Sequence, residues 1–383
     1  MRVLFLLSHF LDGGIDTILL QYLKGLVKMP GFTVSLAISV RMNELEVFRN
    51  QIPSEVKVEY LVDQPYLCNP RIAKLKGKIS AISKLWDSSI HNIIRRRKIQ
   101  SGINKLAQSH DLVVDFDASQ SEYLTKCPIP TIAWLHFSMR KLNEVEPLKT
   151  QQIIKQLSQY TRIVTICEAM RNELSEMAPN LAPKLTTIYN PIDQTSIVLK
   201  SEASIDFPDP YILTICRLNE DQKDVSTLIR AYAQTDIAEK LVIIGKGKDE
   251  EMLKKLTRDL KIEDRVFFAG FHENPYPWIR QSKAFVLSSK YEGFGIVLVE
   301  AMYLNIPVIS SNCPVGPAEI LDNGRSGILV PPGDCSAMAN AISQITTDNN
   351  LRRELTQKAA KRADIFTFDS QLTKMINLFS FAE

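Results

Sequence analysis

The sequence of 383 residues lacks most features of secreted, membrane-spanning and nucleic-acid-binding proteins. Its six cysteines are scattered, with no C-x-x-C pair and no histidine at metal-ligand spacing, so neither a disulfide framework nor a zinc site is indicated. No window approaches eighteen uninterrupted apolar residues, which argues against a membrane span. The net charge of +3 is too small to indicate nucleic-acid binding. We expect a cytoplasmic protein with reduced thiols.

Length and composition indicate two globular domains. The chain exceeds the size at which a single core usually stops growing, and 45% hydrophobic with 23% charged residues is ordinary globular usage. Short apolar runs alternate with longer amphipathic segments, which is the rhythm of βα units. The predicted strands are 3–7, 33–38, 58–61, 112–116, 131–135 and 162–166, then 211–215, 241–244, 266–269, 284–287, 307–310 and 327–330.

This pattern predicts an α/β fold made of two Rossmann-like doubly wound domains. We expect an N-terminal domain over residues 1–195, a C-terminal domain over 206–365, and a last helix, 366–383, that returns to the N-terminal domain. Regular structure is not expected in the polar linker 192–210. Ligands of open α/β sheets bind beyond the carboxyl ends of the strands, so we expect the two domains to face each other across a cleft that holds one site.

Each predicted domain has a pair of glycines in a loop that follows one of its strands. Gly13 and Gly14 precede a helical pattern and offer free amides to an anion, although a simple strand-to-helix turn is an equal alternative. The loop does not match the G-x-G-x-x-G fingerprint, which counts against a dehydrogenase. Gly245 and Gly247 follow a strand of the second domain, where they let the backbone approach a ligand.

Two cations follow the strand 211–215. Arg217 comes after it and Cys216, and Lys223 lies a few residues further on, before a predicted helix. Cations at a strand end can neutralise a diphosphate and stabilise it as it leaves. Surface charge is the alternative, and it is the favoured interpretation of the pair taken alone.

The most specific segment is Y-E-G-F-G-I-V-L-V-E-A-M at residues 291–302, a glycine-rich loop that opens an amphipathic helix. It resembles the E-G-F-G…E signature of the retaining glycosyltransferases of the GT-B fold, family 4, in which many bacterial glycan-building enzymes fall. Three further motifs of that family occur in the right order. They are Arg217 with Lys223, the Gly245–Gly247 loop and the G-P-A-E-I segment at 316–320. The N-terminal half matches more loosely.

The resemblance implies a role for each matched residue. Glu292 would bind hydroxyls of the transferred hexose, and Glu300 the two ribose hydroxyls of a nucleotide diphosphate sugar. Further donor-binding positions are Gly14, Arg217, Lys223, Gly245, Gly247, Phe271, Phe294 and Gly295, with Phe271 near the base and Gly14 on the phosphate or acceptor side. Catalysis would fall to Glu292, His136, Arg217 and Lys223, with His136 orienting the sugar or a hydroxyl. Cys167 replaces a small hydroxyl residue of the family, which leaves a polar contact there in doubt.

Asp115 and Asp117 form a D-x-D pair like the metal motif of a different glycosyltransferase fold. They end a strand of the N-terminal half, whereas enzymes of the GT-B fold neutralise the diphosphate with cations and amides. We therefore expect neither a metal nor any other cofactor, although Asp117 remains a candidate to line the cleft.

A basic amphipathic stretch covers residues 72–98. Apolar residues at helical spacing alternate with lysines and arginines, which is typical of helices that lie on an anionic membrane surface. An ordinary packed helix with a charged outer face is an equal alternative.

Together these features predict a retaining glycosyltransferase that moves a hexose, with UDP-hexose as the expected donor, to a lipopolysaccharide core or another envelope glycolipid. The expected location is the cytoplasm, with peripheral attachment to the inner face of the membrane as a possibility. The alternatives are a nucleotide-sugar epimerase of the same fold and a non-catalytic nucleotide-sugar-binding partner subunit, because a fold alone does not define a reaction. The sugar, the base, the acceptor, the linkage and the oligomeric state are not determined by the sequence.

Overall fold

The computed structural model of the protein describes residues 1–11, 13–125 and 127–382, without the side chains of Ile82 and Ala382. The chain forms two compact units. The N-terminal unit contains residues 1–189 and 372–383, and the C-terminal unit contains residues 190–371. None of the described helices is long and apolar enough to span a membrane.

The N-terminal unit is built on a parallel sheet of seven strands in the order β3-β2-β1-β4-β5-β6-β7. Its core strands are buried apolar runs, as in β4, because helices cover both faces of a parallel sheet. The strands are β1 (Arg2–Leu7), β2 (Thr33–Val40), β3 (Lys57–Val62), β4 (Leu112–Asp115), β5 (Thr131–Leu135), β6 (Arg162–Thr165) and β7 (Leu185–Thr187). The helices are α1 (Gly14–Leu26), α2 (Pro65–Leu75), α3 (Ala81–Ser88), α4 (Ile90–Ala107), α5 (Met139–Val145), α6 (Pro147–Leu157) and α7 (Glu168–Met177).

The C-terminal unit contains a second parallel sheet, of six strands in the order β10-β9-β8-β11-β12-β13. The strands are β8 (Tyr211–Ile215), β9 (Lys240–Ile244), β10 (Val266–Gly270), β11 (Ala284–Leu287), β12 (Val308–Ser311) and β13 (Ile328–Val330). The helices are α8 (Gln194–Ser201), α9 (Glu220–Lys223), α10 (Val225–Ala233), α11 (Glu250–Asp259), α12 (Tyr276–Gln281), α13 (Ile296–Tyr303), α14 (Pro317–Ile320), α15 (Cys335–Thr347) and α16 (Asn349–Ala363). A last helix, α17 (Phe368–Phe379), belongs to the N-terminal unit from Leu372 onward.

All twelve predicted strands are present, and the predicted α/β class with two doubly wound sheets is confirmed. The sequence analysis missed one strand, the edge strand β7. It has only three residues and follows a segment with two prolines, so no periodic pattern marks it.

The expectation of irregular structure throughout 192–210 is wrong, because residues 194–201 form α8. The side chain of Asp193 accepts a hydrogen bond from the amide of Ser196 (2.9 Å), which caps the helix. Ile197 and Ser201 are buried, and the carbonyl of Lys200 accepts a hydrogen bond from Asn274 (2.9 Å). Capping and packing therefore order a segment whose composition looked like a linker.

The basic amphipathic stretch is not one helix but the region of α2, α3 and α4. Asp87 of α3 and Arg95 of α4 form a buried ion pair with 2.6 Å between Oδ1 and Nη1. A second nitrogen of Arg95 donates to the carbonyl of Asp87 (2.7 Å), and Nη1 also donates to the carbonyl of Leu67 (3.1 Å). Arg95 thus holds three helices together and is not an outward-facing cation.

Candidate active site

In each unit, the order of the strands reverses at one point of the sheet. In the C-terminal unit the chain runs from β8 outward to β10 and then returns to place β11 on the other side of β8. Ligands of open α/β sheets bind beyond the carboxyl ends of the strands at such a switch point. Arg217 follows β8 and Glu292 follows β11, so the strand order brings both loops to this position.

Lys223 and Glu292 meet there. Nζ of Lys223 lies 2.5 Å from Oε1 of Glu292, and both side chains are largely buried, at 16% and 7% exposure. The hydroxyl of Ser289 donates to the same carboxylate oxygen (2.5 Å). A buried charge is tolerated only when it is paired and hydrogen-bonded, so these contacts fix the carboxylate.

The position of Lys223 is set by bonds between the loops that follow β8 and β11. The hydroxyl of Ser288 donates to the carbonyl of Lys223 (2.9 Å), and the amide of Lys290 donates to the carbonyl of Gln222 (2.8 Å). The next residue, Asp224, has a left-handed backbone with φ of 48°. This conformation is uncommon outside glycine, and it ends α9 directly after the lysine.

Glu300 lies eight residues beyond Glu292, on α13. Its Oε1 accepts a hydrogen bond from the hydroxyl of Tyr276 on α12 (3.1 Å). Burial raises the pKa of Glu300 to about 7, and the hydrogen bond from Tyr276 opposes this rise. The carboxyl group therefore changes its charge near neutral pH.

The loop before α13 depends on two glycines. Gly295 precedes the helix with φ of 95°, in the left-handed region that favours glycine. Gly316 has φ of 98°, and a Cβ atom there would lie 1.9 Å from the carbonyl oxygen of Phe294. The predicted segment 316–320 thus supports the loop that contains Phe294 and Gly295. The amide of Leu298 donates to the carbonyl of Gly295 (2.9 Å), which closes the first turn of α13.

Gly245 and Gly247 have a packing role that the sequence analysis did not foresee. A Cβ atom at Gly245 would lie 1.8 Å from the carbonyl oxygen of Cys216, and one at Gly247 would lie 2.0 Å from that of Leu218. The amide of Leu218 donates to the carbonyl of Lys246 between them (3.0 Å). The loop after β9 therefore lies against the backbone on either side of Arg217, which makes glycine necessary at both positions whether or not a ligand is bound.

Phe271 directly follows β10 and is exposed, with 64% of its surface accessible. Nζ of Lys246 lies 4.7 Å from the centre of its ring. Arg217 is also exposed, and it follows β8 after one residue, Cys216. All predicted donor-binding residues except Gly14 thus belong to segments that follow strands of the C-terminal sheet, namely loops, α9 and α13.

Gly14 and His136 belong to the N-terminal unit, where the switch point lies between β1 and β4. Gly14 opens α1, and a Cβ atom there would meet nothing within 4 Å. His136 follows β5. Burial lowers its pKa to about 4, and the carbonyl of Phe116 accepts a hydrogen bond from its ring. Nε2 is shielded from solvent and has no hydrogen-bond partner in the described part of the chain.

A neutral imidazole ring has one nitrogen that donates and one that accepts a hydrogen bond. Nε2 of His136, which has no partner among the described residues, is the candidate acceptor for a hydroxyl group.

Asp115 and Asp117 are held by protein contacts. Asp115 is fully buried and accepts hydrogen bonds from the hydroxyl of Tyr160 (2.5 Å) and the amide of Gln120 (2.8 Å). Asp117 accepts bonds from the amide of Ser8 (2.9 Å) and the hydroxyl of Ser119 (2.5 Å). Among the described residues, no group of three or more His, Cys, Asp or Glu is placed to hold a metal ion.

Sequence reasoning missed the residues that position the two glutamates. Ser289 and Ser288 directly follow β11, and a polar pair at a strand end is a usable signal. Tyr276 lies between two prolines in a short helix, and nothing in that context points to Glu300.

Comparison with known proteins defines the class. Residues 199–362 match the family model of glycosyl transferases group 1. Two solved structures cover 99% of this chain and 99% of their own: a lipopolysaccharide outer core galactosyltransferase, WaaB, in its apo form (21% identity, TM-score 0.75) and Anabaena HepE in complex with UDP and glucose (17% identity, TM-score 0.76). The chain thus has the GT-B glycosyltransferase fold.

Two curated bacterial relatives extend the match. N-acetylgalactosamine-N,N'-diacetylbacillosaminyl-diphospho-undecaprenol 4-alpha-N-acetylgalactosaminyltransferase of Campylobacter jejuni is 29% identical over 63% of this chain. The chain spans 65% of that relative's length, just under two thirds. Lipopolysaccharide 1,6-galactosyltransferase of Escherichia coli is 26% identical over 70% of this chain and 76% of its own length. Over residues 199–362, the chain is similar to the glycosyl transferases group 1.

Proposed function

We propose that the protein is a retaining glycosyltransferase that transfers a hexose from a nucleotide diphosphate sugar to a lipopolysaccharide core or another envelope glycolipid. The observation that carries this proposal is the contact of Lys223 with Glu292, followed on the same loop and helix by Glu300. The segment after β8 thus supplies a cation for a phosphate, and the loop and helix after β11 supply carboxylates for two sets of sugar hydroxyls.

During transfer, the bond between the sugar and the diphosphate breaks, and negative charge develops on the leaving oxygen. Lys223 and Arg217 stabilise this charge electrostatically. The ammonium group of Lys223 has three donors, so it can bind a phosphate oxygen while it keeps its bond to Glu292. Glu292 binds hydroxyls of the transferred sugar, and the amides at Phe294 and Gly295 contribute to donor binding.

Glu300 binds the ribose of the donor. Its Oε1 already accepts one hydrogen bond from Tyr276, and an ionised carboxylate has about four lone-pair sites in total. It can therefore accept two more bonds from a vicinal diol. Gly245, Gly247 and Phe271 form the neighbouring loops, with Phe271 on the side of the base.

In the N-terminal unit, we assign His136 to a sugar hydroxyl through the lone pair of Nε2, and Gly14 to a phosphate or acceptor group. One feature of each residue supports its assignment. His136 offers a shielded acceptor without a partner in the described part of the chain. Gly14 leaves the first turn of α1 open to an approaching ligand.

UDP-hexose is the proposed donor, and neither a metal nor another cofactor is proposed. The named relatives act on lipopolysaccharide or on a diphospho-undecaprenol glycan, and HepE is seen with UDP and glucose. These activities belong to the relatives, and they support the donor and the glycolipid acceptor as proposals for this chain.

The helices α2, α3 and α4 support peripheral attachment of the enzyme to the cytoplasmic face of the membrane. Leu75, Leu85, Trp86, Ile90 and Ile93 are exposed, each by 47% or more, and we call this set the apolar patch. This exposure favours a surface role for that part of the stretch over an ordinary packed helix. The exposed lysines beside it are Lys74, Lys76, Lys78 and Lys84.

The decisive experiment incubates purified protein with radiolabelled UDP-hexoses and either truncated lipopolysaccharide or soluble sugars. A thermal-shift screen of nucleotide sugars selects the donor beforehand, since a ligand of the folded state raises the melting temperature. We expect label in the glycolipid with the anomeric configuration of the donor, and label reduced roughly tenfold or more with the Glu292→Gln variant. Transfer only to soluble sugars contradicts the acceptor, and an inverted product contradicts the mechanism.

The epimerase alternative makes a different prediction. A transferase releases its nucleotide in proportion to the acceptor supplied, whereas an epimerase acts on the donor alone. Nucleotide released at the same rate with and without glycolipid, together with an epimerised sugar, would favour the epimerase. A donor that binds without any turnover would favour the non-catalytic subunit.

A further inference from the structure

A shallow groove of about 680 Å³ runs along the exposed side of α4 and the short 3-10 helix Ser121–Tyr123. Its volume falls within the usual range of ligand sites, roughly 300–1,000 Å³. The lining contains Arg96, Arg97 and Lys105, with amide and hydroxyl side chains between them. None of the predicted site residues belongs to it.

The charge of the groove is positive. Helix α4 has five cations and no acidic residue in its sequence, and one of these cations, Arg95, is buried in its own ion pair. Arg96 is paired with Glu122 across the groove. Arg97 and Lys105 are exposed, and within the described residues neither has an ion-pair or hydrogen-bond partner.

The positions of these residues favour an extended ligand. Arg97 and Lys105 are eight residues apart on one face of the helix, which corresponds to about 12 Å. Asn104 lies between them, and Gln100 is held in place by bonds from its Nε2 to Oδ1 of Asn104 (3.0 Å) and to the carbonyl of Tyr123 (2.8 Å). The amide nitrogen of Asn104 is a donor that remains for a ligand.

We propose that this groove binds an anionic glycan, namely the phosphorylated or carboxylated saccharide portion of the acceptor. Cations at both ends match acidic groups, and the amides and the hydroxyl of Ser101 between them match sugar hydroxyls. The inference rests on the proposed function, since it takes the glycan to be part of the acceptor. The roles proposed above for residues of the C-terminal unit and of the N-terminal switch point stay unchanged.

Other polyanions fit the groove less well. Single-stranded nucleic acid is usually bound by aromatic side chains that stack on bases, and Tyr123 is the one aromatic residue of this lining. A lipid headgroup at a membrane surface would be accompanied by exposed apolar residues, but those of α4 are Ile90 and Ile93, in its first turns and outside the groove. Along α4 the exposed surface thus changes from apolar to cationic and then to amide and hydroxyl groups.

The test measures binding of the sulfated pentasaccharide fondaparinux to the full chain by titration calorimetry, without donor. We expect binding that weakens with salt, no binding of neutral maltopentaose, and affinity about tenfold lower in the Arg97→Ala/Lys105→Ala variant. The charge-preserving variant Arg97→Lys/Lys105→Arg should bind like wild type. The matched control, Lys155→Ala/Arg353→Ala, removes two exposed cations elsewhere and should also bind like wild type.

Equal affinity of wild type and the Arg97→Ala/Lys105→Ala variant would overturn the proposal. So would a loss of binding to phosphatidylglycerol vesicles in that variant with fondaparinux binding unchanged, because the groove would then be a lipid site. The transfer assay tests the proposed function independently of this binding experiment. If transfer to a phosphorylated acceptor occurs, the variant should raise the acceptor KM about tenfold and leave kcat and the donor KM unchanged.

Discussion

Lys223 and Glu292 are 69 positions apart in the chain, and their side chains are joined by a contact of 2.5 Å. The loops that contain them follow β8 and β11, which are neighbours in the sheet. The cation proposed for the diphosphate and the carboxylate proposed for the sugar therefore hold each other in place. Removal of either one affects both proposed functions.

The first prediction is that Lys223→Ala and Glu292→Ala are not additive. Each single variant leaves the other charge buried without its partner, which costs on the order of 1–3 kcal/mol, and the double variant avoids this cost. We expect the double variant to lose less of kcat/KM than the product of the two single losses. A double-mutant cycle measures the coupling, and strictly independent losses would contradict the proposed unit.

The second prediction separates the two glutamates. Glu300→Ala should mainly weaken donor binding, because we assign it to the ribose, whereas Glu292→Ala should reduce turnover more than binding, because we assign it to the transferred sugar. Lost hydrogen bonds to hydroxyls typically cost about 1–3 kcal/mol each, roughly tenfold or more in affinity or rate. Donor affinity from calorimetry and kcat from the transfer assay provide the two readouts. Near-wild-type values in both variants would refute the assignment.

The third prediction concerns pH. The pKa of Glu300 is raised to about 7 by burial, and the ionised form accepts hydrogen bonds from a diol better than the neutral form. Donor affinity should therefore increase as the pH rises through about 7 and then level off. Tyr276→Phe removes a hydrogen bond that lowers this pKa, so its profile should shift to higher pH. Glu300→Gln should remove the pH dependence, and an unchanged profile in that variant would exclude Glu300 as its source.

The same group affects stability. Its pKa in the folded protein is about 7 against an ordinary value of 4.5, so the folded state binds the proton more tightly. The stability contributed by this group is present below about pH 4.5 and is lost as the pH rises through about 7. Urea unfolding of wild type and Glu300→Gln across this range would reveal the difference.

Much of the fold could be predicted because parallel strands buried on both faces are continuous apolar runs, which are visible in the sequence. The three-residue strand β7 has too few residues for a pattern. Helix α8 was missed because its cap at Asp193 and its packing through Ile197 outweigh a polar, turn-rich composition.

The candidate site could be predicted as a set of residues but not as a set of contacts. The order of motifs identified Lys223 and Glu292, and the ion pair between them depends on which strands are neighbours. Tyr276 was not predictable, because its partner Glu300 lies on a different helix. Gly245 was predicted to let the backbone approach a ligand, and the structure adds a packing reason, since a Cβ atom there would lie 1.8 Å from the carbonyl oxygen of Cys216.

The fourth prediction is that the apolar patch and the lysines beside it bind anionic membranes. Co-sedimentation with phosphatidylglycerol vesicles should be strong at low salt and weaken as salt is added, because exposed charges are screened. Reversal of four lysines should abolish it, whereas reversal of four exposed lysines elsewhere should not. The two variants are Lys74/Lys76/Lys78/Lys84→Glu and Lys28/Lys155/Lys255/Lys361→Glu.

Charge reversal alone does not test the apolar contribution. Leu85→Ser/Trp86→Ser removes two exposed side chains of α3 without changing the charge. This variant should bind vesicles less tightly at every salt concentration. Equal sedimentation of wild type and both patch variants would contradict membrane binding by the apolar patch and the lysines beside it.

The last prediction concerns His136. We expect the ring to stay neutral, with the proton on Nδ1, between about pH 5 and pH 8, because burial lowers its pKa to about 4. Nitrogen-15 NMR of the labelled protein should show an unprotonated Nε2 that responds to the bound donor or acceptor. The pKa is about 4 in the folded protein against an ordinary 6.5, so stability from this group should be lost as the pH falls from about 6.5 to 4.

In the transfer assay, His136→Ala should reduce kcat by roughly tenfold or more, the usual effect of one lost hydrogen bond to a substrate hydroxyl. His136→Gln can present a carbonyl oxygen as an acceptor and should recover part of the rate. Because the ring stays neutral, the pH profiles of kcat for wild type and His136→Ala should show the same ionisations between about pH 5 and pH 8. A ring that titrates near its ordinary pKa, or wild-type turnover in His136→Ala, would show that Nε2 does not accept a hydroxyl during the reaction.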